Sequence, residues 1–131
     1  MATTTAAVTL TSDLLSDNMS VSASTTCMKA GTTADGLDMM EYGYVDIASG
    51  TAYDIIGNTP TASKASKLYI KNHSTDETYF IDVTVKAEVI GSLYAGDWMF
   101  IPYAGTLDIQ VTTIATNVSI EYGVFSQSTV S

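Results

Sequence analysis

Histidine and cysteine, the side chains that often supply nucleophiles, proton carriers and metal ligands, each occur once in this chain, as His73 and Cys27. They lie far apart in the sequence, so a zinc site would need carboxylates for most of its ligands. Composition does not exclude a serine–histidine–aspartate triad, because serine and aspartate are plentiful. However, the sequence contains no motif typical of the strand–turn–helix segment that presents the catalytic serine. We therefore interpret His73 as a solvated turn residue and Cys27 as a small, semi-buried hydrophobic residue. A single cysteine also rules out an internal disulfide.

Carboxylates, which can bind calcium or catalyse hydrolysis, cluster at two places in the sequence. Asp35, Asp38 and Glu41 form one cluster, and Asp76 and Glu77 form the other. Calcium needs several oxygen ligands, often from such loops, but neither spacing matches an EF-hand loop, so solvated loop residues are the favoured interpretation. Paired carboxylates for glycoside hydrolysis need a defined separation, which a sequence does not show. The prediction is a protein that is not an enzyme, with no catalytic residue, no cofactor and no metal ligand.

The segment 91–102 carries the most specific local pattern, Gly-Ser-Leu-Tyr-Ala-Gly-Asp-Trp-Met-Phe-Ile-Pro. Ala95-Gly96 suits the middle of a type II turn, because glycine readily adopts the positive φ that other residues resist. Asp97 can accept hydrogen bonds from the amides of this turn. The pattern predicts a tight turn between two strands.

Aromatic residues flank this turn. Tyr94, Trp98 and Tyr103 could together form a platform that stacks on a sugar or contacts a partner protein. Packing within a sheet or an interface is the favoured interpretation, because aromatic residues are common in strands.

The charge composition excludes several kinds of partner. The 131 residues carry a net charge of −9, and all five basic residues are lysines. Arginine is the preferred residue for bidentate contacts to phosphate and guanine, so its absence and the acidic balance argue against nucleic acid as a partner. The same balance argues against an anionic membrane surface, whereas it favours solubility and fits a basic partner. Without a basic, apolar leader or a stretch of about 20 apolar residues, we expect a soluble protein made in a cytoplasm.

Alternation of apolar and polar residues dominates the sequence from residue 67 to residue 125. Leu68 and Ile70, for example, alternate with Tyr69 and Lys71. In a strand, a period of two residues places one set of side chains on a buried face and the other set on a solvent-exposed face. Short strands at a spacing of about 8–12 residues predict an all-β fold, an antiparallel β-sandwich of the jelly-roll or immunoglobulin-like kind. We expect strands at 67–72, 78–90 with a bend near 86–88, 98–102, 107–113 and 118–125.

Residues 1–17 are predicted to form an extended N-terminal arm. Val8 and Leu10 alternate with threonines there, as in a strand that could add to a neighbouring sheet edge. A disordered terminus is the alternative, and a common one.

Residues 18–131 are predicted to form a single β-sandwich domain. Its first strand is expected at 18–25. Strands at 42–47 and 51–56 are expected to form a hairpin through Ser49-Gly50.

Three segments of the back half resemble small virion structural proteins of tailed phages, especially marine and cyanobacterial ones. They are Lys-Leu-Tyr-Ile-Lys-Asn at 67–72, Leu-Tyr-Ala-Gly-Asp-Trp-Met-Phe-Ile-Pro at 93–102, and Ile-Glu-Tyr-Gly-Val-Phe at 120–125. The resemblance covers the back half of the chain, and the front half matches only loosely. The family includes capsid decoration (cement) proteins, often trimeric, together with tail and fibre components. It offers no catalytic residues to carry over.

The resemblance implies a capsid decoration protein that stabilises contacts between major capsid subunits. We expect a homotrimer on the capsid surface of the virion, made in the host cytoplasm, with the major capsid protein as partner and with no nucleic-acid or membrane partner. The alternative is a tail or fibre component that binds host-surface glycan. The residues expected to contact a partner are Val8, Leu10, Tyr94, Trp98 and Tyr103.

Overall fold

The computed structural model describes residues 4–12, 19–27, 37, 39–56, 67–76, 78–102, 108–113 and 117–126. Every regular element in these residues is a β-strand, and they contain no helix long and apolar enough to cross a membrane. Their ten strands are β1 Thr4–Ser12, β2 Met19–Cys27, β3 Met39–Ile47, β4 Ala52–Ile56, β5 Lys67–Asn72, β6 Phe80–Val85, β7 Glu88–Tyr94, β8 Trp98–Pro102, β9 Ile109–Thr113 and β10 Val118–Ser126.

The strands form two four-stranded sheets and one two-stranded sheet, and all pairs are antiparallel. The front sheet has the order β3-β10-β5-β8, the back sheet has the order β4-β9-β6-β7, and β1 with β2 forms the ribbon. From β3 to β10 the chain changes sheet at every connection except the one between β6 and β7. This interleaving is the jelly-roll arrangement. The predicted antiparallel β-sandwich is therefore confirmed, and the jelly roll is the variant found.

The core lies between the front and back sheets and consists of the residues that alternate along the strands. In β5, Leu68 and Ile70 are fully buried, whereas Tyr69 and Lys71 are only partly covered. Burying an aliphatic side chain of this size stabilises the fold by about 1.5–3 kcal/mol. The buried cluster comprises Ile47, Ile55, Leu68, Ile70, Ile81, Val83, Leu93, Ile109, Val111, Val118, Ile120 and Tyr122.

The hairpin predicted through Ser49-Gly50 is wrong. A tight turn does form there, with Gly50 at a φ of 71° and the Thr51 amide donating to the Ala48 carbonyl at 3.1 Å. However, β3 before the turn belongs to the front sheet and β4 after it belongs to the back sheet. The Ser49 amide donates to Oδ1 of Asn117, just before β10, at 2.8 Å. A tight turn can either join two paired strands or lead the chain from one sheet to the other. Which of these occurs here depends on β10 and β9, the partners of β3 and β4, and both are distant in the sequence.

The long strand predicted at 78–90 is instead a hairpin of β6 and β7. The two strands pair through the two-residue turn Lys86-Ala87, where φ is 51° and 66°. Positive φ at both central residues is the geometry of a type I′ turn, whose twist matches that of the flanking strands. Asparagine and glycine usually supply this geometry, and neither is present, so the sequence indicated a bend near 86–88 but not a hairpin turn.

The turn predicted at Ala95-Gly96 is confirmed. Gly96 has a φ of 83°, and the Asp97 amide donates to the Tyr94 carbonyl at 2.9 Å. The Asp97 carboxylate accepts a hydrogen bond from the Tyr94 amide at 2.9 Å. The turn carries the chain from β7 in the back sheet to β8 in the front sheet.

The ribbon occupies part of the region predicted to be an extended arm. β1 pairs with β2 along its whole length, with Val8 opposite Ala23 and Leu10 opposite Val21. The strand that contains Val8 and Leu10 therefore pairs with a strand of its own chain. The division at residue 17 between an arm and a sandwich domain stays a prediction.

Cys27 lies at the base of the ribbon and is buried, with 3% of its surface exposed. Its carbonyl accepts a hydrogen bond from the Leu37 amide at 2.9 Å. The interpretation of Cys27 as a small hydrophobic residue is confirmed, and its burial is more complete than expected.

Candidate functional site

The outer face of the front sheet, on the side away from the core, carries a group of aromatic side chains. Tyr69 lies between two buried residues of β5, and its register partners are Gly123 in β10 and Phe100 in β8. Directly opposite residues in an antiparallel sheet share one face, so the register assigns each side chain to the outside or the core. The aromatic residues on this outer face are Tyr42, Tyr44, Tyr69, Trp98, Phe100 and Phe125.

Gly123 provides space for one of these rings at the centre of the sheet. A Cβ atom at this position would lie 3.1 Å from Cε2 and 3.2 Å from Cζ of Phe125. The Phe125 ring therefore packs close to the backbone of β10. A larger residue in place of Gly123 would displace that ring.

The Glu121 carboxylate lies among the tyrosines of this face. The Tyr42 hydroxyl donates a hydrogen bond to the Glu121 carboxylate, and the hydroxyls of Tyr44 and Tyr69 also interact with it. Nε2 of His73 lies 3.5 Å from Oε2 of Glu121. We call these five residues the Glu121 cluster. They come from β3, β10, β5 and the residue that follows β5.

Hydrogen bonding sets the protonation of this cluster. The Tyr42 hydroxyl, followed by that of Tyr44, stabilises the charged carboxylate and lowers the pKa of Glu121 to about 2. The same hydrogen bond raises the pKa of Tyr42 above its usual value. Burial, followed by the hydrogen bond to Glu121, raises the pKa of Tyr69 to about 12. At neutral pH the cluster therefore holds the Glu121 carboxylate with protonated Tyr42 and Tyr69 beside it.

His73 is exposed, as predicted for a solvated turn residue, but its ring also has two close neighbours. Its side chain is 34% exposed, and its ring centroid lies 5.2 Å from that of Tyr44. The predicted position beside a strand end is correct. The contacts with Tyr44 and Glu121 were not foreseen, because both residues are distant in the sequence.

Replacing Glu121 with glutamine is expected to remove one part of the pH dependence of stability. The folded pKa of Glu121, about 2, lies below its ordinary value of 4.5. The charged carboxylate therefore stabilises the fold fully above pH 4.5, and this contribution is lost as the pH falls towards 2. Urea unfolding across this range should show the difference in unfolding free energy between wild type and Glu121→Gln shrinking towards low pH. Glu88→Gln, an exposed change on β7, is the control for loss of one charge, and a constant wild-type-to-E121Q difference would contradict the expectation.

A groove lies between the ribbon and the outer face of the front sheet. It encloses about 630 Å³. The sheet supplies aromatic rings and one lysine, and the ribbon supplies small apolar side chains and hydroxyls. The lining residues are Thr5, Ala6, Ala7, Val8, Ala23, Ser24, Thr25, Tyr69, Lys71, Trp98, Phe100 and Phe125.

Three of the predicted partner-contact residues lie in or near this groove. Val8 and Trp98 line it from opposite sides. Leu10 lies further along the ribbon on the same face as Val8 and is 52% exposed. Trp98 is 46% exposed despite its position in the groove. Their role as partner contacts stays a prediction.

Tyr94 and Trp98 do not form the platform suggested by their closeness in sequence. Tyr94 is opposite Phe80 on the outer face of the back sheet, with ring centroids 5.2 Å apart. Trp98 is opposite Lys71 on the outer face of the front sheet. The third residue of the suggested platform, Tyr103, lies outside the described residues.

The acidic loop residues show one defined role. Oδ1 of Asp76 accepts hydrogen bonds from the amide and the hydroxyl of Thr78, at 2.9 Å and 2.7 Å, and these donors lower the pKa of Asp76. Asp35, Asp38 and Glu77 lie outside the described residues. Within the described part of the chain, no group of three or more histidine, cysteine, aspartate or glutamate side chains could hold a metal ion.

Asn72 is a structural residue that the sequence pattern did not reveal. It is fully buried, and its Nδ2 donates to the Leu93 carbonyl at 2.9 Å while its Oδ1 accepts from the Ser74 amide at 2.8 Å. Its backbone amide donates to the Asp97 carbonyl, and its carbonyl accepts from the Gly96 amide, both at 3.0 Å. Two of the segments that carry the phage resemblance, 67–72 and 93–102, are therefore bonded to each other through this asparagine.

No protein-family model matches the chain, and no curated protein matches it. Among solved structures, the chain is similar to the Schizosaccharomyces pombe Cnp3 cupin domain, with 13% sequence identity and a TM-score of 0.47. The match covers 92% of this chain and 88% of that domain. A likeness at this level says nothing about activity or partners.

Proposed function

We propose that this protein is a structural protein of a tailed-phage virion, a capsid decoration protein that stabilises contacts between major capsid subunits. The observation that carries the proposal is the ribbon, an uncharged and only partly covered pair of strands attached to a jelly-roll body. Jelly rolls occur in viral capsid proteins, but also in lectins and cupins, so the fold alone does not choose among them. The resemblance of the three back-half segments to virion proteins supports the first of these.

The ribbon has two chemically different faces. Alternation and register place Ala6, Val8 and Leu10 on one face together with Val21 and Ala23. The opposite face carries threonine and serine, with Ala7 as its one apolar residue. Leu10 and Val21 are 52% and 46% exposed, so the apolar face is uncovered in its outer half. An isolated two-stranded ribbon is marginally stable in water, and burying this face against a partner would stabilise it.

The ribbon also offers backbone hydrogen-bonding groups. Among the described residues it contains only two strands, so each strand has an edge to which no other described strand is paired. A strand from an adjacent subunit can extend such an edge. Both the apolar face and these edges suit an element that reaches from one subunit to the next.

The absence of charge on the ribbon also favours a role in contacts between subunits. The described ribbon residues 4–12 and 19–26 contain no ionisable side chain, although the whole chain has a net charge of −9. Like-charged copies can approach each other through an uncharged surface with the least repulsion. The acidic remainder of the surface would complement basic patches on a shell. A homotrimer would present three ribbons, and multivalent attachment would strengthen weak individual contacts.

The alternative, a tail or fibre component that binds host-surface glycan, is supported by one observation. Trp98 lines the groove and is 46% exposed, and an exposed indole ring is a suitable surface for stacking on an apolar ligand face. Location in the particle distinguishes the two functions.

A low-resolution map of the phage particle that contains this protein is the test. We expect density for the protein on the outer surface of the shell, in groups of three at sites where capsid subunits meet. Loss of that density from particles lacking the gene would identify it. Density on the tail or its fibres would contradict the decoration function and support the alternative.

A further inference from the structure

We propose that the groove between the ribbon and the front sheet binds an acidic saccharide. In this arrangement Trp98 stacks on a sugar ring and Lys71 pairs with a sugar carboxylate. The inference goes beyond attachment to a particle, and it does not depend on whether the protein lies on the shell or on the tail.

The size and lining of the groove suit a small ligand. Its volume of about 630 Å³ is in the range of ligand pockets, which combine apolar and aromatic walls with a few polar groups. The aromatic wall contains Trp98, Phe100 and Tyr69, and the ribbon wall contributes hydroxyls, among them that of Thr25. Flat rings on one side and hydroxyls on the other match a sugar, which has apolar C–H faces and polar edges.

The positive charge of the groove is concentrated on one strand. Of the five lysines in the chain, Lys67 and Lys71 both lie on the outer face of β5, on either side of Tyr69. Lys71 lines the groove, and no described residue forms an ion pair with it. Lys71 therefore brings to the groove a positive charge that no described carboxylate lies close enough to pair with, although the whole protein is acidic.

The carboxylate opposite Lys71 is held by hydrogen bonds to other residues. Glu121 lies opposite Lys71 in the register, but its carboxylate accepts hydrogen bonds from Tyr42 and its neighbours in the Glu121 cluster. Lys71 instead has Trp98 as its register partner on the other side. The ammonium group and the indole ring are thus adjacent and face the same space.

The position of the groove favours a saccharide over an extended peptide. A peptide gains affinity on a sheet mainly by adding to an edge, where backbone groups are unpaired. The floor of this groove is the face of the front sheet, where β5 is paired on both sides, with β10 and with β8. At Tyr69 and Lys71 the floor therefore offers side chains and not backbone groups, which suits stacking and charge pairing.

Trp98 is the single tryptophan of the chain, so its fluorescence reports on the groove directly. The purified full-length protein is titrated with trigalacturonic acid and, in parallel, with its methyl ester, which keeps the rings but lacks the charges. We expect saturable changes in Trp98 emission with the acid and binding of the ester weaker by about tenfold or more, since a hydrogen bond to a charged group is worth that factor or more. Lys71→Gln should weaken binding of the acid to about the same extent. Lys86→Gln, an exposed change in the β6–β7 turn, should leave it unchanged.

Three outcomes would overturn the proposal. They are an absence of saturable change with the acid, equal binding of the acid and the ester, and equal losses in the two lysine variants. Tighter binding of triglutamate than of trigalacturonic acid would assign the groove to an acidic peptide instead. No shell is present in these titrations, so a negative result does not contradict the decoration function. Failure to bind shells would likewise not contradict saccharide binding in the groove.

Discussion

Replacing Asn72 with alanine is expected to lower the free energy of unfolding by about 3 kcal/mol and the melting temperature by about 10 °C. The side chain is fully buried and forms hydrogen bonds at both of its polar atoms, with the Leu93 carbonyl and the Ser74 amide. Alanine would leave these backbone groups without their partner in a place that water reaches poorly. A buried polar group left unpaired costs about 1–3 kcal/mol.

The control for this change is Asn117→Ala. Asn117 is exposed and its Oδ1 accepts one hydrogen bond, from the Ser49 amide at 2.8 Å. Its loss should cost about 1 kcal/mol, because water can replace the missing acceptor. Urea unfolding of wild type and both variants measures the difference. Equal losses in the two variants would mean that Asn72 does not connect β5 to the turn at 95–96 as described.

A charged pair on the apolar face of the ribbon is expected to reduce binding to capsid shells by about a hundredfold. The variant is Leu10→Asp with Val21→Lys, which replaces two exposed apolar residues that lie opposite each other. The new charges can pair across the ribbon, so the strands stay together while the apolar contact with a partner is lost. Since three ribbons would act together in a trimer, a modest loss at each contact multiplies.

The matched control is Thr9→Asp with Ser22→Lys. These residues are also opposite each other, one position along, on the hydroxyl face of the same ribbon. This variant should bind undecorated shells within a few-fold of wild type, as measured by co-sedimentation over a range of protein concentrations. Wild-type binding by the Leu10/Val21 variant would remove the ribbon from the contact with the shell.

The alternation of residues was sufficient to predict the strands and their buried faces. A period of two is a local property, so Leu68 and Ile70 could be assigned to the core without knowledge of their neighbours. The sheet to which each strand belongs is not local. Ser49-Gly50 forms the tight turn that its residues indicate, yet β3 and β4 separate because their partners, β10 and β9, come much later in the chain.

The candidate site was predictable only where it depends on single residues. Trp98 could be identified as a possible contact from its type and its position beside a turn. The Glu121 cluster could not be identified from the sequence. Tyr42 and Glu121 are 79 residues apart, and only the register of the paired strands places them together. Closeness in sequence was misleading for Tyr94 and Trp98, since the turn between them leads from one sheet to the other.

The position of β10 has a consequence for synthesis on the ribosome. β10 lies in the middle of the front sheet, between β3 and β5, yet it is translated after all the other described strands. Until it emerges, β3 and β5 have no partner between them, and the inner face of the sheet cannot close over the core. Contacts between parts of the chain so far apart in sequence form slowly. The nascent chain therefore exposes unpaired edges until late in translation, and a product that ends before residue 118 would aggregate instead of folding.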